Sequence, residues 1–158
     1  MSVLIVYNLV LYVNFILYIL FMKTLSILLI EDDAIEVMKM NRTIGKLNLN
    51  HGIEIANNGE EALTILTESS ELPDIILLDL NMPKINGIEF LGILKSDSRL
   101  KHIPTVILTT SNNNRDLLEC YKIGVSGYIL KPLKYEEYVD KIEKLLSYWS
   151  INELIVKK

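Results

Sequence analysis

Cysteine is almost missing from this chain. Cys120 is the only one in 158 residues, so no intrachain disulfide can form, and the composition fits a reducing compartment. Positive charge is also scarce. Sixteen Lys and Arg stand against 20 Asp and Glu, for a formal net charge of −4. Apart from the Lys157–Lys158 tip there is no basic cluster, which speaks against a nucleic-acid partner. No low-complexity linker and no internal repeat interrupts the chain. A length of 158 residues therefore allows one ordinary domain with little left over.

Charge of either sign is missing from residues 1–22, a run of Val, Leu, Ile, Phe and Tyr broken only by Ser2, Asn8 and Asn14. This run lifts the mean hydropathy to +0.29. Its length suits a bilayer span, which takes about 20 residues. It lacks the basic start and small-residue cleavage site of a signal peptide. Two readings follow. One is a membrane anchor, with Lys23 favouring a cytoplasmic domain. The other, which we take as the expectation, is that Met22 is the true start and the upstream residues are translated non-coding sequence. The expected organisation is a hydrophobic segment 1–22, a domain 23–150 and a short tail 151–158, located in the cytoplasm and membrane-tethered there if the first segment is genuine.

From Lys23 onward, short apolar runs alternate with helical periodicity. Leu25–Ile30, Ile53–Ala56, Ile75–Leu78, Thr105–Leu108 and Tyr128–Leu130 read as strands. Between and after them, apolar residues three and four apart mark five helices. Examples are Val37, Met40, Ile44 and Leu47 in the first, and Tyr138, Ile142, Leu145 and Trp149 in the last. Five strands alternating with five helices predict an α/β fold, a doubly wound parallel sheet with helices on both faces. The flavodoxin-like order 2-1-3-4-5 is the expected arrangement.

Ligands in such sheets gather beyond the carboxyl ends of the strands, and four of the five strands end in chemically useful residues. The first runs into Glu31-Asp32-Asp33, the third into Asp79, the fourth into Thr109-Thr110-Ser111, and the fifth into Lys131-Pro132. Taken singly, each has an ordinary structural explanation. Asp33 suits a helix N-cap, Asp79 a turn, and Pro132 a turn former. Together they place several carboxylates, a hydroxyl and an ammonium on one edge. Carboxylates crowded there repel unless a cation neutralises them. An all-oxygen donor set selects Mg²⁺ over zinc. A carboxylate beside such an ion can act as a nucleophile toward phosphorus.

These four motifs, in this order and spacing, resemble the receiver domain of bacterial two-component response regulators over about Leu25 to Trp149. The details Asp79-Leu-Asn81-Met-Pro83 followed by Gly87, Leu108-Thr109-Thr110-Ser111, and the closing Tyr148-Trp149 resemble the single-domain regulators that partner phytochrome-type kinases. The resemblance implies that Asp79 accepts a phosphoryl group from a histidine kinase or phosphotransfer protein. It implies Mg²⁺ held by Glu31, Asp32, Asp79 and the Asn81 backbone, with Thr109 and Lys131 binding the phosphoryl oxygens. Tyr128 would change rotamer with Thr109, and Lys131–Pro132 would be a cis peptide. It further implies a phosphoacceptor switch rather than an enzyme, with only slow self-phosphorylation and autodephosphorylation. Output would pass through protein contacts without a DNA-binding domain, and about Asn112 to Trp149 (helix 4, strand 5 and helix 5) would form a homodimer face.

Two rival functions fit the sequence less well. Haloacid-dehalogenase-type phosphatases also use a strand-end Asp, but place a second Asp two residues on as general acid. Here that position is Asn81, which cannot donate a proton in that way. Binding modules of the same fold that work without phosphorylation usually lack one of the acidic, acceptor or lysine residues, and all are present here. His51 and His102 fall in expected loops, so neither has the helix-face setting of a phosphorelay histidine.

Overall fold

The computed structural model describes residues 6–13 and 23–155. Residues 6–13 are helical and exposed, and the rest of the hydrophobic segment lies outside the described residues. Among the described residues no helix is long and apolar enough to cross a membrane.

Five strands carry the domain: β1 (Ser26–Ile30), β2 (Gly52–Ala56), β3 (Ile75–Leu78), β4 (Thr105–Thr109) and β5 (Gly127–Leu130). They alternate with α1 (Ala34–Lys46), α2 (Gly59–Glu68), α3 (Gly87–Ser96), α4 (Asn114–Ile123) and α5 (Tyr135–Ser150). The sheet order is β2-β1-β3-β4-β5, with every pair parallel. The expected doubly wound, flavodoxin-like fold is therefore what forms.

The two-residue period of a strand sends neighbouring side chains to opposite faces, and the buried runs use both. Leu28, Ile30, Ile76, Leu78 and Ile107 pack with Ala62, Leu66, Phe90, Leu91 and Leu94 of α2 and α3, and with Cys120 of α4. Ile27, Leu29, Ile75, Leu77, Val106 and Leu108 pack with Met40 and Ile44 of α1 and with Tyr138, Ile142 and Leu146 of α5. Strands β1, β3 and β4 are covered on both sides, which is why their sequences are unbroken apolar runs. Strand β5 is an edge, and its Leu130 is exposed.

Short polar side chains start most of the helices. Asp33, Asn58, Asn86 and Asn113 each accept a backbone N–H of the first turn. Asp33 thus caps α1, as its position after β1 predicts. Helix α4 ends at Gly124, whose φ of 113° suits a residue without Cβ. His51 lies in the loop before β2, where its Nδ1 accepts the N–H of Leu25 at 3.0 Å.

Cys120 is fully buried against the sheet, and burial, with Asp116 and Glu119 nearby, pushes its thiol up to about 11. At pH 8 only about one thiol in a thousand is then the reactive thiolate. A disulfide reagent such as DTNB is expected to leave the native protein unlabelled and to titrate one thiol on unfolding. Rapid stoichiometric labelling of the native protein would contradict this placement.

Candidate phosphoacceptor site

Parallel pairing brings the strand ends into register at one edge. Ile30 pairs with Leu78, Leu78 with Ile107, and Thr109 with Leu130. The next backbone amides continue the ladder: Asp79 N donates to Ile30 O at 3.0 Å, and Lys131 N donates to Thr109 O at 2.8 Å. The sheet therefore fixes Glu31, Asp79, Thr109 and Lys131 beside one another, although they are far apart in sequence.

Glu31 and Asp79 are buried, at 3% and 5% exposure, while Asp32 faces solvent. Oxygens of these three carboxylates lie within 4.8 Å of one another. The Lys131 side chain, 4% exposed, reaches in from β5. Its ammonium lies 2.5 Å from Glu31 Oε2 and 3.4 Å from Asp79 Oδ1. The other Asp79 oxygen, Oδ2, accepts the Asn81 N–H at 2.9 Å. Asp79 is thus held by both oxygens. Its chain neighbours Leu80 and Asn81, with Asp32, Met82, Asn86 and Asp116, line an open cleft of about 420 Å³.

Burial pushes the Glu31 carboxyl above its usual range, only partly offset by the Lys131 hydrogen bond and charge. For Lys131, burial works against the charged form, but the Glu31 hydrogen bond and the charges of Asp79, Glu31 and Glu36 outweigh it. The net direction is upward, so the ammonium stays charged.

Three carboxylates face one ammonium within this group, which leaves an excess of negative charge. All the donors are hard oxygens, with no His or Cys among them. Exposed Asp32 leaves room for the waters that Mg²⁺ keeps. The residues present therefore fit Mg²⁺, and Glu31, Asp32 and Asp79 are the side chains able to hold it.

Thr109 is fully buried, and its hydroxyl accepts the Ser111 N–H at 3.2 Å. Tyr128 is half-buried and donates its hydroxyl to Ser111 O at 3.0 Å. Ser111 in turn donates to Asp116 at 2.8 Å. Ser111 thus links the two residues expected to move together. Its side-chain bond to Asp116 comes from α4, beyond the reach of a motif that stops at the strand end.

The expected cis bond at Lys131–Pro132 is not present: there are no cis peptides among the described residues. The trans form is intrinsically favoured before proline by about 0.5–1 kcal/mol. With it, the Lys131 ammonium already reaches both buried carboxylates.

Residues 27–143 match the response regulator receiver domain family. The chain belongs to that family. Among curated relatives of this receiver domain, the probable methanogenesis regulatory protein FilR2 of Methanothrix harundinacea is 37% identical. That match covers 78% of this chain and 82% of FilR2. Response regulator Rcp1 of Synechocystis is 33% identical over 78% of this chain and 87% of its own length. A solved Mn²⁺-bound form of response regulator Rcp1 superposes with a TM-score of 0.77 at 30% identity, over 84% of this chain and 99% of that one. The crystal structure of the phosphorylated cyanobacterial phytochrome response regulator RcpA superposes with a TM-score of 0.79 at 31% identity, over the same shares. Receiver domains are phosphoacceptor switches that bind Mg²⁺ through an acidic pocket and work with histidine kinases or phosphotransfer proteins.

Proposed function

We propose that Asp79 accepts a phosphoryl group from a histidine kinase or phosphotransfer protein, and that the phosphorylated domain signals through protein contacts. One observation carries this reading. The Asp79 carboxylate is buried beside Glu31 and Asp32, with the Lys131 ammonium on one oxygen and the Asn81 N–H on the other. The likeness to a phosphorylated regulator supports it.

In the transfer, an Asp79 carboxylate oxygen forms the new bond to phosphorus as the bond from phosphorus to the donor's imidazole nitrogen breaks. The electron pair of that bond stays on the imidazole. Bound Mg²⁺ would supply positive charge to the transferring oxygens, held by Glu31, Asp32, Asp79 and the Asn81 carbonyl. Lys131 exchanges its contact with Asp79 for the phosphoryl oxygens. The Thr109 hydroxyl donates to a phosphoryl oxygen once it turns toward Asp79. That turn releases the Ser111 N–H, and Tyr128, tied to the same residue, moves with it. The changed surface spans α4, β5 and α5, where Leu118, Tyr121, Leu130 and Tyr148 are exposed. We assign it to a partner or a second copy, in the cytoplasm.

Incubation with acetyl phosphate and Mg²⁺ is expected to give a phosphate-retarded band on a Phos-tag gel. EDTA and Asp79→Asn are each expected to abolish it. The variant should fold at least as well as wild type, since an amide oxygen still accepts the Asn81 N–H and one crowded charge is gone. A shift that persists in folded Asp79→Asn would overturn the assignment.

A further inference from the structure

A fourth carboxylate bears on the site from α1, outside the group that can hold a cation. Glu36 Oε2 lies 3.8 Å from the Lys131 ammonium, and the Glu36 side chain is 21% exposed. Lys39, one turn further on, fixes it with contacts of 3.2 and 3.5 Å to its two oxygens. The Lys39 ammonium is held in turn over the ring of Tyr138, 4.2 Å from its centroid. Tyr138 is a buried core residue of α5. A continuous chain of contacts therefore runs from the α1–α5 packing to the ammonium beside Asp79.

The other two anions on Lys131, Glu31 and Asp79, belong to the cation-holding group. A divalent cation taken up there draws on the same carboxylates that hold the ammonium, and it repels the ammonium directly. Glu36 is the carboxylate on Lys131 that such a cation does not claim. Because Lys39 holds both of its oxygens, Glu36 is kept in place without adding a net charge to the site.

We propose that Glu36, braced by Lys39, is a positioning residue that keeps the Lys131 ammonium at the phosphoacceptor while a divalent cation occupies the acidic group. The inference rests on the proposed function for its importance to phosphoryl transfer, but its first test needs no phosphodonor. In Mg²⁺-saturated wild type, the side-chain ammonium of Lys131 is expected to give a protected ¹H–¹⁵N NMR signal. Glu36→Gln should broaden or abolish that signal, and Glu36→Asp should restore it in part. The second test is the rate of phosphorylation by acetyl phosphate at saturating Mg²⁺. Glu36→Gln should slow it roughly three- to ten-fold, within the range for directly coupled neighbours. The same substitution should have no further effect in a Lys131→Met background. An unchanged Lys131 signal in folded Glu36→Gln, or an equal loss of rate with and without Lys131, would overturn the proposal. If wild type takes up no phosphoryl group, the proposed function fails and the Lys131 signal alone decides on Glu36.

Discussion

Replacing Lys131 by methionine is expected to cost the metal-free protein about 3–5 kcal/mol, the usual penalty for removing one partner of a buried ion pair. Methionine keeps most of the apolar stem, so the loss is one of charge rather than packing. What remains is Glu31 and Asp79, nearly fully buried, with no ammonium between them. The penalty is not expected to be constant. Millimolar Mg²⁺ neutralises the same carboxylates and stabilises the folded state that binds it, so the difference between variant and wild type should shrink when it is added. Urea unfolding with EDTA and with Mg²⁺ measures both quantities. A midpoint equal to wild type in EDTA would mean that the Lys131 contacts do not hold the site together.

The second large effect is expected from a single methyl group. A Cβ on Gly87 would sit 2.3 Å from the Asp79 carbonyl oxygen and 2.7 Å from Leu80 Cα. Both are backbone atoms of the loop after β3, so no side chain can turn aside to make room. Helix α3 and the loop after β3 lie this close because Gly87 N donates to Leu80 O at 3.1 Å. Gly87→Ala must therefore push the helix and the loop apart. Overpacking of this kind costs about 1–3 kcal/mol, and rigid backbone on both sides places this case at the upper end. The same displacement moves Asp79, and a shift of about 1 Å in a reacting group can cost about 100-fold in rate. Gly92 in the same helix is the control, since nothing lies within 4 Å of a Cβ there. Gly92→Ala should gain up to about 1 kcal/mol from helix propensity. Denaturant midpoints and acetyl phosphate kinetics compare the two. Wild-type behaviour of Gly87→Ala would show that the close approach does not exist in solution.

Burial and strand pairing decide which of these features the sequence records. The strands could be placed because β1, β3 and β4 are buried on both faces and leave an unbroken apolar record. The gathering of Glu31, Asp79, Thr109 and Lys131 could be placed because parallel pairing forces the strand ends to one edge, and the register does just that. Contacts set by side-chain reach were not legible. Glu36 approaches Lys131 through the first turn of α1, where an acidic residue already has an ordinary explanation in the helix dipole. Asp116 meets Ser111 from the first turn of α4 for the same reason. The need for glycine at position 87 became definite only with the distance to Asp79 O in hand. The bond before Pro132 went against the resemblance, because the intrinsic preference between its two forms is small and the sequence carries no record of which one the turn selects.

The central claim is that phosphoryl transfer ends on the Asp79 carboxylate, and chemical trapping tests it most directly. The protein is incubated with acetyl phosphate and Mg²⁺, reduced with borohydride and digested, and the peptide covering residues 73–84 is sequenced by mass spectrometry. An acyl phosphate is reduced to the alcohol, so homoserine is expected in place of Asp79, dependent on both acetyl phosphate and Mg²⁺. Reduction at Asp32 or Glu31 instead, or none at any carboxylate of a protein that carries phosphate, would contradict it.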